Sequence, residues 1–148
     1  MTSVLYVHTA TTWAMVGLIW FVQIVHYPLF ATVARLAQNV PGGAGFPLYA
    51  ERHQLLTTRV VAPLMLGEAF SSVALFYVLE NGPINPLLWI SVLLLFAIWL
   101  STAIIQVPLH GQLAHAYDAD TQRRLVRSNW LRTFAWSARG VIALLLMR

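Results

Sequence analysis

The sequence predicts an all-α fold, an integral membrane antiparallel four-helix bundle that forms a single transmembrane domain over residues 1–148. Hydrophobic residues make up 59% of the chain and charged residues only 9%, which is more apolar than soluble domains of this length. A helix needs roughly 20 mostly apolar residues to cross a bilayer. Four stretches come near that length, at about residues 4–27, 53–79, 86–107 and 127–147.

The first and third stretches are the clearest spans because neither contains a charged residue. The chain has no Asp, Glu, Lys or Arg before Arg35, and none over residues 81–117. The N-terminus also lacks the basic, apolar and small-residue order of a cleavable signal peptide. We therefore expect the first stretch to remain in the mature protein as a membrane helix.

The second and fourth stretches carry the intramembrane charges. Arg59 lies near the start of the second stretch, and Glu68 lies deep inside it. The fourth stretch contains Arg132 and Arg139, so hydropathy supports this span least. Because an unpaired charge in hydrocarbon is costly, we expect the deeper of these side chains to face the interior of the bundle.

The connections between the stretches set the predicted topology. Residues 80–85 join the second and third stretches, and their Asn, Gly and Pro residues favour a tight antiparallel turn. The two longer connections are basic and contain Arg35, Arg52, Arg123, Arg124 and Arg127. The positive-inside rule places these connections in the cytoplasm. We therefore expect a multi-pass protein of the inner (plasma) membrane with both termini outside.

The net charge of +4 is interpreted as a topology signal. All nine basic residues are arginine, and they flank apolar stretches instead of forming a patch on a soluble surface. The predicted partners are the lipid bilayer and a hydrophobic small molecule, with no nucleic acid. The sequence leaves open whether the chain forms a homo-oligomer.

Polar residues in each span fall on one helical face, because positions three and four apart are neighbours on a helix. The four polar stripes should turn inward and share a core, which leaves Leu, Val, Ile and Phe to contact lipid. The stripes are His8, Thr12, Gln23 and His26; His53, Thr57 and Glu68; Trp99, Thr102, Gln106 and His110; and Asn129, Arg132, Thr133, Trp136 and Arg139.

Three histidines are predicted to meet near the cytoplasmic boundary. The first and third helices end there and the second begins there, which brings His26, His53 and His110 to about the same depth. Neutral imidazoles can ligate a divalent transition metal, and two imidazoles from different helices can hold a haem iron on both faces. Thiolate sites are excluded because the chain has no cysteine. The residues expected to bind around such a cofactor are Gln23, Arg52, Gln106 and Asn129.

A plainer interpretation of the histidines stays open. His, Tyr and Gln accumulate at membrane interfaces because one end of each side chain favours water, so histidines can gather there without a ligand between them. Their spacing also matches no contiguous metal motif such as His-Glu-x-x-His. A metal, a haem and a ligand-free cluster are therefore all compatible with this sequence.

Glu68 and Arg139 form a second candidate site. At about 1.5 Å of rise per residue, the two residues reach similar depths in the bilayer and can pair. As catalytic groups they would relay protons or bind an anion, with Arg132 on the path from the histidines. As structural groups they would form an ion pair that fixes the second helix against the fourth.

Two segments carry a resemblance to known proteins. They are Gln106-Val107-Pro108-Leu109-His110 and Arg124-Leu125-Val126-Arg127-Ser128-Asn129-Trp130-Leu131-Arg132-Thr133. Over about the last third of its length the chain resembles small bacterial four-helix membrane proteins of unassigned function. In size and helix count it is more distantly similar to anthrone-oxygenase-like proteins and to small haem-binding protoporphyrinogen oxidases. The resemblance implies oxidoreductase chemistry and assigns no residue a role.

The predicted function is that of a membrane oxidoreductase or oxygenase that acts on a hydrophobic small molecule through a histidine-ligated metal or haem at the cytoplasmic side. In this hypothesis Arg52 and Arg132 orient polar groups of the substrate, while Glu68 and Arg139 tune or relay protons. One alternative is a small-molecule or proton-coupled transporter that uses Glu68 and Arg139 as its moving charges. Another is an accessory subunit of a larger membrane complex.

Overall fold

The computed structural model describes residues 2–38 and 45–148, and these residues are helical apart from short turns. The α-helices are α1 (Thr2–Phe21), α2 (Tyr27–Gln38), α3 (Gly45–Val78), α4 (Pro86–Ser101), α5 (Val107–His115) and α6 (Ala119–Leu146). Two π-helical segments, Val22–His26 and Thr102–Gln106, connect α1 to α2 and α4 to α5 without a break. The chain therefore forms four long helices, and the all-α prediction is confirmed for the described residues.

Three of the long helices have the length and composition to cross a membrane: Ser3–Ala37, Gly45–Val78 and Pro86–His115. Each of the three is longer than the span that hydropathy predicts. For example, α3 begins at Gly45, whereas the predicted span begins at about residue 53. The fourth long helix, α6, is not among these three. Its two buried arginines and its polar first half lower its mean hydropathy. Length and composition of these three helices therefore indicate a membrane protein.

The two π-helical segments have a common cause in the sequence. Pro28 and Pro108 each lie two residues beyond the end of a π-helical segment. Proline lacks an N–H group, and its ring clashes with the carbonyl group four residues earlier, so the helix must widen to continue. The widened turns are closed by bonds from the Tyr27 N–H to the Val22 carbonyl and from the Val107 N–H to the Thr102 carbonyl. The residues that follow each widened turn face neighbouring helices.

Helices α1 and α6 each pack against several neighbours: α1 contacts α3 and α6, and α6 contacts α2, α4 and α5 as well. Glycines allow two of these approaches. A Cβ atom at Gly140 would lie 3.2 Å from Val16 Cγ2 and 3.3 Å from Trp13 Cε2, across the contact of α6 with α1. A Cβ atom at Gly67 would lie 3.1 Å from Thr11 Cγ2, across the contact of α3 with α1. The close approach encloses the polar side chains between these helices.

Helix α6 begins with a side-chain cap. The Asp118 carboxylate accepts a hydrogen bond from the Thr121 N–H at 2.7 Å, which satisfies one of the free donors at the helix start. Its bonds with Thr121 keep the pKa of the Asp118 carboxyl below its ordinary value. Asp120, in the first turn, pairs with Arg123 on the surface. The cap fixes where α6 starts and hence the register of its polar face.

Candidate functional site

The three predicted histidines lie together. His26 ends the first π-helical segment, His53 lies in α3 and His110 lies in α5. His26 Nε2 and His53 Nδ1 are hydrogen-bonded at 2.9 Å, and the ring centroids of His53 and His110 are 5.6 Å apart. Phe30, which is fully buried, packs edge-on against both His26 and His53. We refer to His26, His53, His110 and Tyr27 as the histidine cluster.

Tyr27, which the sequence pattern does not single out, joins this cluster. Its hydroxyl is hydrogen-bonded to His110 Nε2 at 2.9 Å, and the residue is 4% exposed. Gln54, which the sequence does not single out, donates a bond of 2.7 Å to the His110 carbonyl. Thr57 Oγ1 lies 3.0 Å from His53 Nδ1. The first π-helical segment turns Tyr27 toward α5, and that widened turn follows from Pro28.

The geometry offers a metal or haem little support. Among residues 2–38 and 45–148, no group of three or more His, Cys, Asp or Glu side chains is arranged to hold a metal ion. His26 and His53 contact each other directly, with ring centroids 4.4 Å apart, so no porphyrin plane fits between these two imidazoles. His110 Nε2 is engaged by Tyr27. The histidines therefore form a hydrogen-bonded cluster, and a metal or haem centre stays a prediction.

The predicted glutamines and Asn129 link the helices below the histidine cluster. Gln23 is buried, accepts a bond of 2.9 Å from Asn129 Nδ2 and donates one of 3.2 Å to the Val126 carbonyl. Gln106 is also buried, accepts from Ser101 and donates to Ser128. These amides tie α6 to both π-helical segments. Their bonds are with protein groups, so they position helices.

Arg132 is the unusual member of this region. It is only 6% exposed, and its guanidinium lies 5.1 Å from the ring centroid of Trp136. Its Nη1 donates to Asn129 Oδ1 at 3.3 Å, and it interacts with the Tyr27 hydroxyl. Its Nε has no hydrogen-bond partner among the described residues, which also place no carboxylate within ion-pair distance of it. Arg132 is thus a buried cation with unused donor capacity.

A cavity of about 460 Å³ opens between α3 and the helix formed by α4 and α5. We call it the lateral cavity. Its polar wall is formed by Tyr27, His53, Gln54, Thr57, Thr58, Thr102, Gln106, His110 and Arg132. Its apolar wall is formed by Val61, Ala62, Met65, Leu66, Trp99 and Val107. Leu66, Trp99 and Val107 are 44%, 39% and 60% exposed, so the cavity opens on the apolar outer surface of the helices.

Comparisons with protein-family models, curated proteins and solved structures found no match to this chain. The resemblance that the sequence shows over residues 106–110 and 124–133 therefore stays a prediction. Function is inferred from the chain's own geometry.

One predicted site residue, Arg52, and one residue of the predicted polar stripes, Trp99, lie away from the places expected for them. Arg52 is exposed and lines a separate surface pocket with Glu51 and Leu48, so it does not face the histidine cluster. Trp99 was expected in the buried stripe of the third span, but it lies 39% exposed at the mouth of the lateral cavity. The π-helical segment that follows Trp99 changes the register of the helix, which a regular 3.6-residue repeat does not capture.

Glu68 and Arg139 form an ion pair in a second group of buried side chains. Arg139 Nη2 lies 3.3 Å from Glu68 Oε1, and Trp136 Nε1 donates to Glu68 Oε2 at 2.8 Å. Arg139 also donates to the Ser91 carbonyl and hydroxyl and to the Ser72 hydroxyl. All five residues are at most 2% exposed. We refer to Glu68, Ser72, Ser91, Trp136 and Arg139 as the ion-pair cluster, which joins α3, α4 and α6.

Proposed function

We propose that this protein is a four-span membrane protein that takes a hydrophobic small molecule from the bilayer into the lateral cavity and holds its polar end at the histidine cluster. The observation that carries the proposal is the cavity itself, which has an apolar mouth on the outer surface and a polar inner end. Ligand sites of this size are characteristically apolar, with a few placed polar groups that orient the molecule.

The side-chain distribution of α6 supports a fourth span. Its buried face carries the polar residues Asn129, Arg132, Thr133 and Arg139, while its exposed face carries Leu131, Phe134, Val141, Leu144 and Leu145. An apolar outer face is what lipid requires, and polar groups inside satisfy one another. With the tight turn at Gly82–Ile84, four spans give an antiparallel bundle, and the positive-inside rule puts the histidine cluster at the cytoplasmic side.

The histidine cluster gives the cavity groups that exchange protons. His110 and Tyr27 line the cavity and bond to each other, and His53, which also lines it, bonds to His26. Histidine and tyrosine act as general acids and bases when they lie within hydrogen-bond reach of a reacting group. These side chains would donate or accept protons at the polar end of the bound molecule, while an oxidoreductase or oxygenase reaction stays a prediction from the sequence, since it also needs an electron donor or acceptor.

Blocking the cavity tests the binding proposal. Ala62→Trp fills the apolar wall, whereas Val60→Trp places the same side chain on the exposed face of α3, two residues away. The probe is tritiated oleyl alcohol, an uncharged amphipathic molecule, equilibrated with each protein in detergent. We expect saturable binding by the unmodified protein and by Val60→Trp, and at least about tenfold weaker binding by Ala62→Trp because the site is occupied. Equal binding by both variants would contradict the proposal.

The metal and haem predictions have a separate test. Metal analysis and an absorbance spectrum of the purified protein, compared with those of His53→Ala, report directly on either cofactor. A near-stoichiometric metal or a haem band that disappears in His53→Ala would restore the metal-dependent mechanism. Protein that is colourless and metal-free, with no difference in the variant, would leave the histidines as a proton-exchanging cluster.

A further inference from the structure

We infer that the ligand of the lateral cavity is an amphipathic molecule with a singly charged anionic head, of the carboxylate class, and that Arg132 binds this head. The inference rests on the proposed function and deepens it, since it names the ligand class that the same cavity selects. It follows from a charge imbalance between the two buried arginines.

The two buried arginines differ in how their charge is neutralised. Arg139 is paired with Glu68, so the ion-pair cluster has no net formal charge. Arg132 is only 6% exposed, and the described residues place no carboxylate beside it. Taking an ionised group out of water is costly unless a partner compensates it. An anion from outside the chain would supply that partner.

Arg132 lines the cavity wall and is 6% exposed, so its guanidinium lies beside the cavity. Its Nε is fully buried and has no partner in the described part of the chain, as is also true of Arg139, so the feature that distinguishes Arg132 is its missing counter-charge. Guanidinium presents donors in a planar fork that matches the two oxygens of a carboxylate. Gln106 lines the same polar end, and the second N–H of its amide, beyond the one bonded to Ser128, can add a neutral hydrogen bond to such a head. The polar end is thus built around one cation with hydrogen-bonding groups around it.

The remaining lining residues define the rest of the ligand. Arg132 is the single arginine among the cavity's lining residues, and no Lys occurs in the sequence, so the cavity offers one permanent positive charge. The single positive charge of Arg132 can be neutralised by a singly charged carboxylate, whereas a doubly charged phosphate would leave a net negative charge. Toward the mouth the wall is formed by Leu66, Trp99 and Val107, which suits a hydrocarbon body that continues into the lipid.

The test compares tritiated oleate with tritiated oleyl alcohol, which share a hydrocarbon chain and differ in the charge of the head. Binding is measured in detergent at a pH where oleate is ionised. We expect the unmodified protein to bind oleate about tenfold or more tightly than the alcohol, because a charge-assisted bond to Arg132 adds to the apolar contacts. Arg132→Gln should abolish this preference. The matched control is Arg127→Gln, which removes an exposed arginine from the same helix and should retain it.

The outcomes separate this inference from the proposed function. Equal affinity for oleate and alcohol in the unmodified protein would overturn the inference, while alcohol binding that Ala62→Trp blocks would still support the cavity. If Ala62→Trp blocked neither probe, both the inference and the proposed function would fail. Arg132→Lys covers the case in which Arg132→Gln does not fold, since it keeps the charge and should keep a preference for oleate. The comparison of the two probes on the unmodified protein needs no variant at all.

Discussion

The two polar clusters in this protein differ in how the positive charge within or beside them is compensated. The ion-pair cluster contains a cation, an anion and three further partners, and all five residues are at most 2% exposed. The histidine cluster opens onto a cavity, and the cation beside it, Arg132, has no carboxylate partner in the described part of the chain. Within the described ranges, the Nε atoms of both Arg132 and Arg139 lack a hydrogen-bond partner, so the two sites differ in charge compensation and in access to a cavity. The difference indicates a structural role for one cluster and a binding role for the other.

Trp136 belongs to the ion-pair cluster and also contacts Arg132, the cation beside the histidine cluster. Its indole N–H donates to Glu68, and its ring lies beside the guanidinium of Arg132. A cation over an aromatic face is stabilised without being neutralised. Trp136 therefore completes the ion-pair cluster while it leaves Arg132 charged and available. Most of the substitutions described next should therefore affect mainly one of the two clusters.

The largest effect should come from breaking the ion pair. Glu68→Ala leaves the Arg139 cation buried without its counter-charge, which costs about 3–5 kcal/mol in the free energy of unfolding. Unfolding in mixed detergent measures this loss. In Glu68→Met combined with Arg139→Met, neither charge remains, and we expect a smaller loss than in Glu68→Ala. A Glu68→Ala protein within about 1 kcal/mol of the unmodified chain would contradict the structural assignment.

Substitution of Glu68 also tests the transporter alternative. If Glu68 and Arg139 were moving charges, Glu68→Gln would abolish uptake of a solute into liposomes. Our account predicts instead that Glu68→Gln lowers stability and leaves oleyl alcohol binding at the lateral cavity unchanged. Uptake that is present in the unmodified protein and lost in this variant would favour transport.

The next effect concerns the helix approach that encloses the ion-pair cluster. Gly140→Ala puts a methyl group 3.2 Å from Val16 Cγ2 and should cost about 1–3 kcal/mol through overpacking. Gly17→Ala is the matched control, because its added methyl group meets nothing within 4 Å. Its free energy of unfolding should not fall, and can rise by up to about 1 kcal/mol because Ala favours a helix more than Gly does. Equal losses in both variants would show that α1 and α6 do not approach closely at Gly140.

A smaller effect on stability, with a clear effect on binding, is expected in the histidine cluster. Tyr27→Phe removes the hydroxyl that bonds to His110, at a cost of about 0.5–1.5 kcal/mol in the free energy of unfolding. Oleate binding should weaken because the hydroxyl lies at the polar end of the cavity. Tyr77→Phe, which changes a residue 85% exposed, should alter neither quantity. Unchanged oleate binding in Tyr27→Phe would remove Tyr27 from the site.

The smallest effect should come from the cap of α6, outside both clusters. Asp118→Ala removes the acceptor for the Thr121 N–H and should lower stability slightly, whereas Asp120→Ala should not. The pKa of Asp118 is lowered in the folded protein, so its contribution is present at neutral pH and is lost as pH falls through that lowered pKa. The difference between the two variants should therefore shrink in acid, which unfolding curves at neutral and acidic pH would measure.

Much of the helical architecture could be predicted from composition and spacing. Long uncharged stretches indicate the first and third helices, and the equal depth of His26, His53 and His110 brings these residues together. The pairing of Glu68 with Arg139 also follows from depth along two helices. These predictions succeed because rise per residue and the cost of buried charge depend little on side-chain detail.

The finer parts of the site could not be predicted because they depend on local breaks in helix regularity. A uniform helical repeat places Trp99 inside and gives Tyr27 no partner, but the π-helical segments alter both faces. The sequence signal for these segments was the proline that follows each one, in Tyr27-Pro28 and in Val107-Pro108. The cavity and the unpaired Nε of Arg132 require three-dimensional packing, which spacing along the chain does not provide.

The most direct test of the binding assignment is the ¹³C NMR signal of carboxyl-labelled oleate with the protein in lipid nanodiscs. A carboxylate held by Arg132 should give a separate resonance that stays ionised at pH values where oleate in the surrounding lipid becomes protonated, because the guanidinium stabilises the charge. That resonance should be absent in Arg132→Gln and present in Arg127→Gln. A single resonance that titrates identically with and without the protein would contradict the account.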